Sequence, residues 1–144
     1  MNRLVLSASI IAAFTAAVHI FAGGSDVAAP LLASTMAPEP KLTMYAVWHM
    51  VTVALAVSAV ALFMGSLPHY AVALRYLVLF ISLLWLGFGI VVLAVALVQH
   101  ERGWLLKLPQ WILLLPVGII GMWGAISAPA GRSAHHPKQS PAEQ

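Results

Sequence analysis

Two histidines lie in segments that are otherwise apolar, and they are the residues best suited to chemistry in this sequence. His19 lies in AAFTAAVHIFAGGSD and His49 in MYAVWHMVTVALAV. Neutral imidazoles on two facing helices can ligate a haem iron or hold a transition metal, and Asp26 could complete a metal site. The same rings could instead hydrogen-bond a quinone or relay protons with Asp26. We predict His19 and His49 as binding residues for haem b or another cofactor, and His19, His49 and Asp26 as a transition-metal site.

Other kinds of catalytic chemistry find no support in the sequence. It contains no cysteine, which excludes disulfides, thiolate metal ligands and cysteine nucleophiles. It also lacks a phosphate-binding glycine loop, a serine nucleophile motif and any acidic residue inside its apolar segments. We therefore expect no catalytic reaction of its own.

Composition indicates the environment in which the chain folds. Of its 144 residues, 62% are hydrophobic and only 8% are charged, whereas an average soluble domain has about 25% charged residues. A soluble fold of this length cannot bury so much apolar surface, so the bilayer is the predicted solvent and partner. The net charge of +3 forms no basic patch, which argues against nucleic-acid binding. We expect a multi-pass protein of a plasma membrane, of the bacterial inner-membrane type.

Four apolar segments are long enough to cross a bilayer, at about residues 4–22, 44–65, 71–98 and 108–128. They should be helices, because lipid cannot satisfy free backbone groups. The predicted fold is an all-α membrane protein, an up-down bundle of four transmembrane helices within residues 1–128, with a disordered polar cytoplasmic tail at 129–144. We expect the first segment to be retained rather than cleaved as a signal peptide, because its apolar run is long and three spans follow.

The charges in the loops and the residues that end helices complete the predicted topology. One side of the membrane receives Arg3, Arg75, Arg132 and Lys138, and the other receives Lys41, Arg102 and Lys107. This excess predicts that both termini are cytoplasmic. Gly23 and Gly24 are expected to end the first helix. The loop that follows contains DVAAPLLASTM, which could form a short outer-surface helix capped by Ser25 or Asp26.

On this topology the two histidines share a depth. His19 lies near the outer end of the first helix and His49 near the outer start of the second, each roughly 6–8 Å below the boundary. Imidazoles facing lipid are costly, so both should face the interior, as part of two stripes of small or hydroxyl-bearing residues. These stripes are Ala8, Ala12, Thr15 and His19, and His49, Thr52 and Ala56. On the fourth helix, Gly118, Gly121 and Gly124 predict close helix packing.

The predicted function is that of a small integral membrane protein with a histidine-containing site at its outer face. It would be an accessory or assembly subunit, or a binder of a small ligand. One alternative is an electron-transfer protein that binds haem or metal through His19 and His49. Another is an oligomeric transporter of a small solute or lipid, which would need further copies of the chain because four short spans leave little room for a pathway. Besides the bilayer, a membrane-protein partner or a second copy is the expected partner.

Overall fold

The structure is a computed structural model that describes residues 1–99 and 103–127. Within these residues the chain forms helices and turns and no β-strand, which confirms the predicted all-helical class. The elements are α1 (Arg3–Gly23), a π-helical turn (Gly24–Ala28), α2 (Ala29–Ala33), α3 (Pro38–Ser66), α4 (Arg75–Val98), α5 (Trp104–Lys107) and α6 (Trp111–Ser127). The predicted tail lies outside the described residues.

In the described part of the chain, three helical stretches are long and apolar enough to cross a membrane: Arg3–Ala33, Pro38–Ser66 and Arg75–Val98. α6 is also apolar but has 17 residues, at the short end of what a span requires. Large apolar side chains cover the outside, and Phe14, Phe80 and Ile119 are each more than half exposed. Such a surface suits contact with lipid tails, so this is a membrane protein.

The long helices pack in the order α3, α1, α6, α4. α1 lies between α3 and α6, and α6 lies between α1 and α4, whereas α3 and α4 contact each other much less. The interior of α1 consists of small side chains, among which Ala8 and Ala12 are fully buried. The buried Ser9 hydroxyl donates to the Ala59 carbonyl oxygen of α3 at 3.3 Å. Small residues of this kind let helix backbones approach closely.

The glycine stripe of α6 serves helix packing, as predicted. Gly118 lies against Leu86 and the Ser82 carbonyl of α4, while Gly124 lies against Val5 of α1. An added Cβ would come within 2.6 Å of Leu86 Cγ at the first position and 2.8 Å of Val5 Cγ2 at the second. Any side chain there would force the helices apart, so the glycines let α6 sit between α1 and α4.

Gly23 is the last α-helical residue of α1, but neither glycine ends the helical chain by the predicted left-handed conformation. Both glycines have right-handed helical backbones, with φ of −63° and −59°. The helix continues through the π-helical turn to Ala33, so Ser25 and Asp26 lie inside it and cap nothing. Glycine permits the left-handed conformation that ends helices but does not require it. A π-helical turn absorbs one extra residue while the backbone remains hydrogen-bonded.

Asn2 hydrogen-bonds to three helices at one end of the protein. Its side-chain oxygen caps α1 by accepting two first-turn backbone N–H groups, at 3.2 and 3.3 Å. Its Nδ2 donates to the Gly124 carbonyl oxygen at 2.7 Å, and its backbone N–H donates to the Ser66 carbonyl oxygen at 2.8 Å. One residue therefore ties the start of α1 to the ends of α3 and α6. We call this the Asn2 end, and the opposite end, which contains His19 and Trp48, the His19 end.

Candidate ligand site at the His19 end

His19 of α1 stacks on Trp48 of α3. The ring centroids are 4.6 Å apart and the planes differ by 19°. His19 lies 16 residues beyond Arg3 and Trp48 lies 18 residues before Ser66, or about 24 and 27 Å along their helices. Because Asn2 holds those two helix ends together, both rings lie at one level, at a distance from the Asn2 end close to the thickness of a hydrocarbon layer, about 30 Å.

A hydrogen bond orients the His19 ring. His19 Nε2 lies 3.3 Å from the Trp48 carbonyl oxygen, which also accepts the Thr52 hydroxyl at 3.1 Å. A carbonyl oxygen can only accept, so we assign a proton to Nε2. In the neutral ring Nδ1 then carries a lone pair that can accept a hydrogen bond or bind a metal. His19 is half-buried and continues a buried stripe that includes Thr15, as predicted for α1.

His49 does not face the interior, contrary to prediction. It is exposed, as is Ala56, and Thr52 is half-buried. The His49 ring makes edge-to-face contacts with Trp48 and Tyr45, with centroid distances of 5.0 and 4.5 Å. Trp48 thus contacts both histidines.

The side of α3 that faces the interior is formed by other and larger residues than the predicted stripe of His49, Thr52 and Ala56. It runs through Leu55, Ser58, Leu62 and Ser66, all buried. Steps of three and four residues continue this face back to Trp48. His49 is one residue further on, which turns it about 100° away from the interior.

Gly23 leaves an open position beside the stacked rings. A Cβ at Gly23 would lie 3.8 Å from Trp48 Nε1 and 4.0 Å from His19 Nδ1, both ordinary contact distances. Neither nitrogen takes part in a hydrogen bond with the residues that the structure describes. An indole N–H donor and an imidazole acceptor therefore adjoin one small space, and a ligand with an acceptor and a donor could use both.

Asp26 does not join the two histidines in a metal site. It is exposed on the π-helical turn, where its Oδ1 accepts the Ser25 hydroxyl at 3.0 Å. Within residues 1–99 and 103–127, no three histidine, aspartate or glutamate side chains are grouped to hold a metal ion. The structure brings His19 and His49 to one tryptophan without gathering a three-residue ligand set that includes Asp26.

Trp48, Tyr45 and Gly23 belong to no motif that sequence alone would single out. The 45–48–52 spacing is the available signal, since steps of three and four residues place these positions on one helix face. For Gly23 no signal exists, because its contribution is the side chain it lacks.

No known protein family matches the chain, and neither does any curated protein or solved structure. The candidate site therefore depends on the geometry of its own residues.

Proposed function

We propose that this is a small integral membrane protein, without a catalytic reaction of its own, that binds a small planar ring ligand with carbonyl or hydroxyl groups at the His19 end. A quinone headgroup has this chemistry. The supporting observation is the pair of groups that adjoin Gly23, the Trp48 indole N–H and His19 Nδ1, on rings fixed by their stacking. A quinone oxygen accepts from the indole, and a hydroxyl of the reduced ring donates to the imidazole.

Within the same proposal the chain crosses the membrane four times and has both termini in the cytoplasm, as an accessory or assembly subunit of a bacterial-type inner membrane. α6 supports the fourth crossing because it lies between α1 and α4 and is about 26 Å long. Arg3 and Arg75 at the Asn2 end support the orientation, since positive residues favour the cytoplasmic side.

One observation favours a second candidate, a haem or transition metal bound through His19 and His49. A metal-ligating histidine commonly donates its other ring N–H to a backbone carbonyl, which fixes the ring. His19 Nε2 and the Trp48 carbonyl oxygen have this arrangement, so His19 Nδ1 is oriented as a possible ligand. Electron transfer would be the corresponding function.

The experiment begins with detergent-purified protein. Absorption spectra of oxidised and reduced samples, with metal analysis, test for haem and metal first. The sample is then titrated with a short-chain ubiquinol kept reduced, and saturable quenching of tryptophan fluorescence measures binding. We expect saturable quenching and no Soret band.

Two matched pairs of variants assign the binding to the site. His19→Phe keeps a ring to stack on Trp48 but removes both nitrogens, and His69→Phe changes an exposed histidine in the turn before α4. Gly23→Leu fills the open position, whereas a side chain at Gly24 meets no atom within 4 Å. H19F should weaken ubiquinol binding at least about tenfold, the effect of one lost hydrogen bond to a desolvated ligand. G23L should weaken it to a similar extent because its side chain occupies the space beside the two rings. H69F and G24L should bind like the wild type.

The outcomes separate the candidates. A Soret band or stoichiometric metal that H19F and H49F both remove would replace the quinone proposal with the haem or metal one. Quenching that is absent, or equal in H19F, G23L and their controls, would reject a ligand site beside Gly23.

A further inference from the structure

Arg75 begins α4 with part of its guanidinium inside the protein. The residue is half-buried, and its Nε is buried without a hydrogen-bond partner among the described residues. Arginine keeps its charge at physiological pH and offers five N–H donors. A charge that is partly removed from water needs an anion, or at least a water, to offset its desolvation.

A small cavity adjoins Arg75 at the Asn2 end. Its volume is about 10 Å³, measured by the centre of a water-sized sphere, which is room for roughly one water. Apart from Arg75 and Asn2 its lining is small or apolar, with Gly65, Val78 and Ala125 among the residues. The Asn2 amide is already engaged in capping α1 and in donating to α6. A water there could reach the guanidinium, but nothing in the lining neutralises its charge.

The Asn2 end is positively charged. Arg3 and the N-terminal amine lie there with Arg75, whereas Asp26 and Glu39, the acidic residues in the described part of the chain, lie toward the other end. The residue before α4 provides no side-chain cap, and the Arg75 N–H donates to the Val72 carbonyl oxygen, so the N–H groups of Tyr76 and Leu77 are the ones that add to the positive potential. An anion from outside the described chain is therefore the available counter-charge.

Exposed aromatic residues indicate the depth of Arg75 in the membrane. Tyr76 follows it directly and is 82% exposed, Tyr70 lies in the preceding turn, and Trp123 adjoins the Gly124 that bonds to Asn2. Tyrosine and tryptophan concentrate at the level of lipid headgroups.

From the unpartnered Nε, the uncompensated charge and this depth, we infer that Arg75 binds the phosphate of an anionic phospholipid at the Asn2 end. The terminal N–H groups of the guanidinium, which unlike Nε are not buried, donate to the phosphate oxygens, and the first turn of α4 reinforces the attraction. This inference is independent of the ligand proposed for the His19 end.

Native mass spectrometry of delipidated protein tests it, with phosphatidylglycerol and phosphatidylcholine of matched acyl chains as probes. Wild type should retain phosphatidylglycerol in preference to phosphatidylcholine. R75Q should weaken phosphatidylglycerol binding about tenfold or more, because it removes charge-assisted hydrogen bonds. R75K keeps the charge and should lose less than R75Q, and R3Q, which removes an exposed arginine at the same end, should bind like the wild type.

Three results would overturn the inference. Equal phosphatidylglycerol binding by wild type and folded R75Q would show that Arg75 is not the site. Displacement of the lipid by millimolar inorganic phosphate would identify a site for the free anion. Tighter lipid binding by E143Q than by wild type would mean that this chain's own carboxylate supplies the counter-charge.

Discussion

The contact between Ser82 on α4 and Gly121 on α6 can be tested with a double-mutant cycle. A Cβ at Gly121 would lie 2.5 Å from Ser82 Oγ, whereas Ser82 Cβ and Ala8 Cβ would be at ordinary distances of 3.6 and 3.7 Å. The buried Ser82 hydroxyl donates to the Val78 carbonyl oxygen at 2.7 Å. The G121A substitution must therefore either turn this hydroxyl away or push the two helices apart, and S82A removes the obstacle.

The expected coupling energy follows from these two routes. Turning the hydroxyl away loses a hydrogen bond worth about 0.6 kcal/mol inside a membrane protein. Overpacking without that rotation costs about 1–3 kcal/mol. The gain from replacing glycine within a helix, up to about 1 kcal/mol, occurs in both backgrounds and cancels in the cycle. We expect G121A to be less harmful in the S82A background by about 0.6–3 kcal/mol.

The assay measures the free energy of unfolding of all four proteins by titrating SDS into mixed micelles and following helical circular dichroism. G118A is the matched control, because its Cβ would meet the Ser82 carbonyl oxygen at 2.7 Å and Leu86 N at 2.9 Å. These are backbone atoms, which S82A leaves in place. The reasoning is refuted if G121A has the same effect in both backgrounds, or if S82A rescues G118A equally well.

Two further predictions concern Asn2 and Trp85. N2A should lower the free energy of unfolding by about 1–3 kcal/mol, because the α1 cap and the donor to Gly124 are both lost. N2D keeps the capping oxygen and should lose less, and wild-type stability of N2A in the SDS titration would contradict this role. Trp85 is fully buried, and its Nε1 has no hydrogen-bond partner within the described residues. W85F should therefore cost less than about 1.5 kcal/mol and W85A about 3–5 kcal/mol, and equal losses in thermal unfolding would mean that the indole N–H has a partner.

The positions of the long helices could be predicted from the length and hydropathy of the apolar segments. Which residues of each helix face the interior could be predicted for α1 but not for α3. On α1 the small residues do face inward, as Ala8 and Ala12 show. The same rule applied to α3 selected the face of Ala56, whereas Leu55 and Leu62 are buried instead. In a protein with lipid outside, the outer face is as apolar as the inner one, so hydropathy cannot distinguish them.

For the candidate site, the sequence predicts the level along the helices at which the residues lie, but not which side chains touch. The shared level of His19 and residues 48–49 follows from counting residues along two helices that run in opposite directions. Which side chain meets His19 depends on the rotation of α3, and one residue makes the difference between His49 and Trp48. The continuation of the helical chain beyond α1, through the π-helical turn to Ala33, could not be predicted either. Glycine adopts the helical and the helix-terminating conformation equally well.

The lengths of the helices make the two sides of the protein unequal. The stretch Arg3–Ala33 has 31 residues and α3 has 29, or about 46 and 44 Å. Because Asn2 holds one end of both helices at the same level, both exceed the thickness of a hydrocarbon layer of about 30 Å by about 15 Å at the His19 end. Lys41 Nζ donates to the Ser34 carbonyl oxygen at 2.6 Å and closes the tip of this pair. With the Asn2 end at one boundary of the bilayer, we expect this helix pair to stand above the other boundary, where a soluble partner could contact it.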